Sequence, residues 1–512
     1  MAKTDLPTRS TTQDDRDPSQ MQRFHSYPLQ SEAYIGQALP STLRTWDMTA
    51  LFIIILFFIT NVPTAVAGGA AGLSLWIIGG ICFFIPCAIA TAQLGVMYPY
   101  EGSLYNWTHK AFGGFMSFFV GFCAWLPCTL LILATSDLAI SYIQALNQNW
   151  LVQPWQQGLA VMGIVAFSGI VATRRHRMVQ KMINVVVGLI GLTVALVFLA
   201  GVVWLFNRHP SATSFSQGAA WNPLSGANIG LFGVITLGYL GVNIPMNMAG
   251  ELAGNEGTRR KTITRHLLWG TLFVFTSYLL VTFAVLVVQG QNAANNLFAI
   301  VQTVKMAIGP IPGDIVTVCI MAILVVATIT YNSAYARFLL VGGIDRRLPV
   351  SMGKLNKNRI PARAILVQTI GAIIITAILF MLVPYIGLFG GQPANVALEA
   401  YFVVVATATM IWAFSTVFLF VDLLKLYSRD PRLFRAHRLM PMPVLLICSV
   451  LGFLTGLAAM VDTLFNSYIP PLIPNTQWLF IIGGFTLVIL VAGAIISMLA
   501  TSEAAYQTLI GE

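Results

Sequence analysis

Twelve apolar stretches, each long enough to cross a bilayer, run through the chain. They lie at about 48–68, 73–97, 114–145, 157–173, 182–206, 228–250, 267–290, 311–340, 364–385, 394–424, 440–462 and 477–500. A helix needs about 20 mostly apolar residues to span hydrocarbon. Strands of a membrane barrel would instead alternate over about ten residues. These runs therefore predict an all-α membrane protein with twelve transmembrane helices. Composition agrees: 57% of residues are hydrophobic and 9% charged, against about 25% charged in soluble domains. The net charge of +10 is spread over many short loops, which gives no surface for nucleic acid.

The loops fix an orientation, because Lys and Arg concentrate on the cytoplasmic side. With the N-terminus in the cytoplasm, 25 of the 28 basic residues fall on that side. Only Arg208 and Lys305 fall opposite, and Arg337 lies within the eighth stretch. Both termini are predicted to be cytoplasmic, in a cell membrane. Residues 1–45 are polar and too poor in apolar residues to fold alone, so a disordered tail is expected. They contain no secretory h-region, and no cleaved signal peptide is expected. Cys82, Cys87, Cys123, Cys128, Cys319 and Cys448 sit in apolar runs without a CxxC pair and read as packing residues. The six histidines show no metal-ligand spacing, and no cofactor is expected.

Two stretches carry the same interruption. Residues 60–69 read TNVPTAVAGG and residues 242–251 read VNIPMNMAGE. Asn61-Val62-Pro63 thus matches Asn243-Ile244-Pro245. Proline removes a backbone donor and blocks the carbonyl one turn earlier. Five helices separate the two positions, so they begin two five-helix units of opposite topology, the pattern of an inverted repeat. Backbone groups freed within a membrane must be satisfied or must line a cavity. Half-helix N-termini suit a carboxylate, and free carbonyls suit an ammonium or a cation. Together they suit a zwitterion, an α-amino acid. The divisions expected are 1–45 (tail), 46–210 and 211–428 (the two repeats), 429–500 (two added helices) and 501–512 (a second cytoplasmic tail).

Further segments resemble those of the amino acid–polyamine–organocation superfamily of transporters. The second stretch ends in AQLGVMYPYEGSLYNW (92–107), the sixth carries GYLGVN (238–243) followed by Glu251, and LPVSMGKLNKNRIPARAILVQ (348–368) follows the eighth. Each is similar to a superfamily segment, in the superfamily's order. Arg337 lies where a family Ser-Arg pair usually sits. The usual Gly-x-Gly break of the first helix is replaced by TNVPTAV, and Val62-Pro63-Thr64 resembles the bacterial glutamate/γ-aminobutyrate exchanger branch. That branch has Glu where this chain has Asn243. Leu237 stands at the usual aromatic gate, so Tyr239 or Phe232 is expected to close the site. Val187 stands where some members carry a fifth-helix Lys, with Lys181 at the helix start.

The resemblance implies a five-plus-five inverted repeat with discontinuous helices 1 and 6. It implies substrate binding at Thr60, Asn61, Val62, Pro63 and Thr64, and at Tyr239, Leu240, Gly241, Val242 and Asn243. Ionisable residues within spans are functional candidates. Asp137 reads as an outer-vestibule residue, or as a proton-coupling or side-chain-selecting carboxylate. Arg337 reads as snorkelling or as an inner gate with Glu251 or Glu101. Glu399 reads as lying at the outer surface. Thr328, Thr330, Asn332 and Ser333 read as packing residues, or, by the resemblance, as facing first-helix carbonyls around Na⁺. The expected function is alternating-access transport of an amino acid, best a neutral one, by proton symport or exchange. Alternatives are an amine, polyamine or acidic amino acid as substrate, a channel, or a non-transporting nutrient receptor.

Overall fold

The computed structural model describes residues 29–146, 149–294, 296–386, 393–470 and 472–510. The expected tail residues 1–28 lie outside the described part. Ten described helices, or near-continuous helix pairs, are long and apolar enough to cross a membrane. The first and sixth stretches are the exceptions. Each is split into two short helices.

A short helix, α1 (Gln30–Ala38), precedes the bundle. The first stretch forms α2 (Thr45–Leu56) and α3 (Asn61–Val66). The second forms α4 (Ala70–Gly79) and α5 (Ile85–Met97), joined through a π-helical turn. A short crossing helix, α6 (Leu104–Phe112), leads to α7 (Gly114–Leu146), α8 (Pro154–Ala172) and α9 (His176–Phe206). The sixth stretch forms α10 (Phe232–Leu237) and a 3₁₀ helix over Ile244–Glu251. Then follow α11 (Glu256–Val288), the short α12 (Ala299–Ala307), α13 (Pro310–Ile344), α14 (Ala362–Ala377) and α15 (Pro393–Arg429). The chain closes with α16 (Pro431–Ala436), α17 (Met442–Phe465) and α18 (Asn475–Ile510).

The core follows the distribution of apolar surface. Helix α7 packs along α13 and α15, and α11 packs along α2 and α9. The segments α2 and α13 carry nearly continuous buried runs, as befits helices surrounded by other helices rather than lipid. Helices α17 and α18 are the least covered of the membrane-length helices.

The expectation for the end of the N-terminal segment is revised. Residues 29–45 are ordered into α1 and a strand-like segment, because Ser31, Ile35, Leu39 and Leu43 are buried against the bundle. Leu43 pairs with the chain after the sixth stretch: its N–H donates to the Glu251 carbonyl at 3.0 Å, and its carbonyl accepts from Ala253 at 2.9 Å. At the other terminus, α18 runs on to Ile510 through most of the expected tail.

Candidate functional site: two interrupted helices and a buried cavity

The first interruption covers Phe57–Thr60, one turn earlier than the Asn-x-Pro sequence suggested. Asn61, Val62 and Pro63 open α3 instead of breaking it. The second interruption covers Gly238–Asn243, and Pro245 sits in the first turn of the 3₁₀ helix. The physical reason is shared. Pro is tolerated in a first helical turn, where its missing N–H has no intrahelical acceptor. The motif therefore marks a restart, and the open backbone lies just before it.

Two tyrosines that the sequence reading passed over hold the first interruption. Tyr278 of α11 is fully buried. Its hydroxyl donates to the Leu56 carbonyl at 3.0 Å and accepts from the Phe58 N–H at 3.0 Å. It also accepts from Asn61 Nδ2 at 3.3 Å. Tyr331 of α13 donates to the Ile55 carbonyl at 2.8 Å. Thus it is Tyr331 that reaches the first-helix carbonyls from α13. Thr328 is paired with Thr135 of α7 at 2.8 Å, and Thr330 bonds back to the Val326 carbonyl.

Between the interruptions lies a cavity of about 120 Å³. Ile55, Leu56, Phe58 and Asn61 line it from the first stretch, and Val234, Leu237, Gly238 and Leu240 from the sixth. Leu130, Leu131 and Ala134 of α7 face them. Val405, Ala408, Thr409 and Trp412 of α15 complete the wall with Tyr331 and Tyr468. No lining residue is ionised at neutral pH. The Trp412 indole N–H is buried without an acceptor. Gly241 stands beside it with φ 106°, and a Cβ there would meet the Trp412 ring at 2.9 Å. Only glycine combines that backbone with that approach.

The expected site residues divide accordingly. Asn61 and Leu240 line the cavity; Val62 and Pro63 are packed away in α3. Thr60 and Thr64 are partly exposed and do not line it. Val242 and Asn243 are buried beside it, Asn243 with an unpartnered Oδ1. Tyr239 points into the core. Its hydroxyl donates to the Trp76 carbonyl at 3.1 Å and its ring stacks on Phe84 at 4.4 Å, so it does not cover the cavity.

Asp137 lies on α7, one turn beyond the lining residue Ala134, and accepts from Gln157 Nε2 of α8 at 2.7 Å. Asn332 ties three helices together. Its Nδ2 donates to Thr369 Oγ1 at 2.8 Å and to Ser168 Oγ at 3.3 Å, and its oxygens accept from Gln368. The Ser333 carbonyl accepts from Arg337.

Arg337 is wholly buried at the end of the bundle where the Lys- and Arg-rich connections lie. Its Nε and Nη2 both donate to Glu251 Oε1, at 3.1 and 2.6 Å. Glu101 Oε1 stands 3.6 Å from Nε, and His176 Nδ1 stands 3.8 Å from Glu251 Oε2. The pair is buried from solvent, so removing one partner would leave an uncompensated charge. Over this cluster lies α1. The Ser31 N–H and hydroxyl donate to the two Asp345 oxygens at 2.8 and 2.9 Å, Tyr105 donates to Asp345 at 2.9 Å, and Glu32 pairs with Lys110 at 2.7 Å.

A membrane bundle with two interrupted members meeting at a small buried cavity is the architecture of a transport protein. The sequence matches the family described as amino acid permease over residues 43–492, and the chain belongs to that family, which is one of permeases rather than enzymes. It is 22% identical over 353 residues to an uncharacterized transporter of Legionella pneumophila, covering 66% of this chain and 74% of that one. It is 23% identical over 362 residues to the branched-chain amino acid permease BcaP of Lactococcus lactis, covering 65% and 75%. A solved manganese transporter from Eremococcus coleocola shares the fold, with a TM-score of 0.59 at 17% identity, over 91% of this chain and 98% of that one.

Proposed function

We propose that this permease is a secondary active transporter that carries neutral amino acids with apolar side chains across the cell membrane by alternating access, with both termini in the cytoplasm. The observation that carries the reading is the cavity. It sits where both interrupted helices release backbone polar groups, and apart from Thr409 its remaining walls are aliphatic and aromatic. Carbonyls freed at the interruptions suit the substrate ammonium. Asn61 Nδ2 and the unpartnered Trp412 N–H suit the carboxylate. Leu130, Leu131, Ala134, Val405 and Ala408 suit an aliphatic side chain. A polyamine or an acidic amino acid would bring a second charge into walls with no opposite charge to meet it. The Lactococcus relative is named for branched-chain amino acids, which supports this reading.

The test is counterflow in proteoliposomes with labelled L-leucine, L-isoleucine, L-valine, L-phenylalanine, L-glutamate and putrescine. Saturable exchange of the neutral set is expected, with glutamate and putrescine excluded. Saturable exchange of glutamate or putrescine without the neutral set would overturn the assignment.

A further inference from the structure

We infer that the closure at the basic-loop end is a proton-dependent latch: Glu101 holds a proton against the Glu251 carboxylate while that end is shut, and gives it up to water when the end opens. The inference deepens the transport reading above and rests on it for its functional consequence.

Two carboxyl groups and one guanidinium share a space in which all three side chains are 0–1% exposed. The guanidinium is already used: Nε and Nη2 go to Glu251 Oε1, and Nη1 goes to the Ser333 carbonyl at 3.0 Å. Glu251 is thus the counter-ion. Glu101 receives one hydrogen bond, from the Gly250 N–H to Oε2 at 2.8 Å. Its Oε1 receives none, and it stands 3.6 Å from the same Arg337 Nε that donates to Glu251 Oε1 at 3.1 Å, so the two carboxyl groups crowd one nitrogen. An ionised Glu101 would be a surplus anion beside another anion, in a space buried from solvent. Such pairs do not both ionise. Protonated, the same carboxyl donates its O–H to Glu251, and every charge in the cluster is balanced.

The groups around Glu101 can be named by element. The 3₁₀ helix supplies Glu251 and the Gly250 N–H, α13 supplies Arg337, and α9 supplies His176, which faces Glu251. From α1, Ile35 stands close: a Cβ on Gly250 would lie 2.8 Å from Glu101 Oε2 and 3.0 Å from Ile35 Cγ2. Burial, and then the neighbouring Glu251, push Glu101 well above the usual carboxylate range, against the opposing pull of Arg337 and the Gly250 N–H. The sign follows. The shut form keeps a proton that a solvated Glu101 loses above about pH 4.3. Closure is therefore strongest at acid pH and weakens as pH rises through the raised value. Opening breaks the Glu101 O–H bond, and the proton passes to water on that side.

Two measurements test the latch. The first is infrared difference spectroscopy of the purified protein at neutral pH, native against Glu101→Gln, with Glu101→Ala as a second variant. Loss of one protonated-carboxylic-acid band in both variants is expected; an unchanged band intensity overturns the proposal. This measurement needs no transport, so it separates failure of the latch from failure of the amino acid assignment. The second is leucine counterflow with the same pH on both sides. Native exchange should rise several-fold as pH rises through the range where Glu101 titrates. Glu101→Gln, fixed in the neutral form, should stay at the acid-limb rate, and His176→Gln should keep the slope. A slope retained in Glu101→Gln, or lost only in His176→Gln, overturns it.

Discussion

Trp412 shows what one unpartnered atom implies. A buried donor without an acceptor is costly, and this one borders a cavity in which other polar groups are few. Trp412→Phe removes the N–H together with the outer part of the indole that stands beside Gly241. Leucine affinity is expected to fall at least about 10-fold, the equivalent of one charge-assisted hydrogen bond, with a lower melting temperature from the lost packing. Equal affinity in binding titrations would remove Trp412 from the site. Tyr331→Phe should act differently, leaving the Ile55 carbonyl unpaired and costing about 1–3 kcal/mol of stability, readable as a lower melting temperature. Asn61 was legible in the sequence because an amide in an apolar run needs a reason to be there. Tyr278 and Tyr331 were not, because an aromatic residue in a membrane stretch reads as packing until its hydroxyl is seen to end on another helix's backbone.

At the level of elements, the repeated Asn-x-Pro correctly marked which two helices are interrupted, but it misplaced the first opening by a turn. Proline constrains the residues before it more than those after it, so the gap precedes the motif. The consequence is testable by comparing two kinds of substitution. Pro63→Ala and Pro245→Ala should change stability by less than about 1 kcal/mol, because each Pro sits in a first turn. Gly241→Ala should cost more than about 2 kcal/mol, since it meets both a positive φ and the Trp412 ring. Thermal melts of the three variants in the same detergent decide it. Equal losses at all three positions would mean that the prolines themselves create the openings.

Across the whole molecule, the basic-loop end is closed by parts that lie far apart in the chain: α1, the connection after α5, the end of the sixth stretch and α13. Ser31 and Asp345 are 314 residues apart and joined by two hydrogen bonds. Burial pushes the Asp345 carboxyl above its ordinary range, although Ser31 and Tyr105 donate to it. Ser31→Asp would set a second acid against it, a like-charge contact costing several kcal/mol. Hydrogen exchange across residues 30–43 should lose protection in this variant, and more so as pH rises and both acids ionise. Unchanged protection would mean that α1 is held by Ile35, Leu39 and Leu43 alone.

By itself the sequence determined the solvent the chain lives in, its helical class and the two stretches that break, because hydrocarbon thickness and backbone hydrogen bonding act on local runs of residues. It also pointed to Arg337, Glu251 and Glu101 as candidates, since buried charge in such a chain is rare. Tertiary structure alone decided which groups meet: that two tyrosine hydroxyls hold the first opening, that Asp137 meets Gln157 and Asn332 meets Ser168, Gln368 and Thr369, and that two acids stand beside one arginine. Those outcomes depend on distances between helices that are far apart in the chain, and no local pattern encodes them.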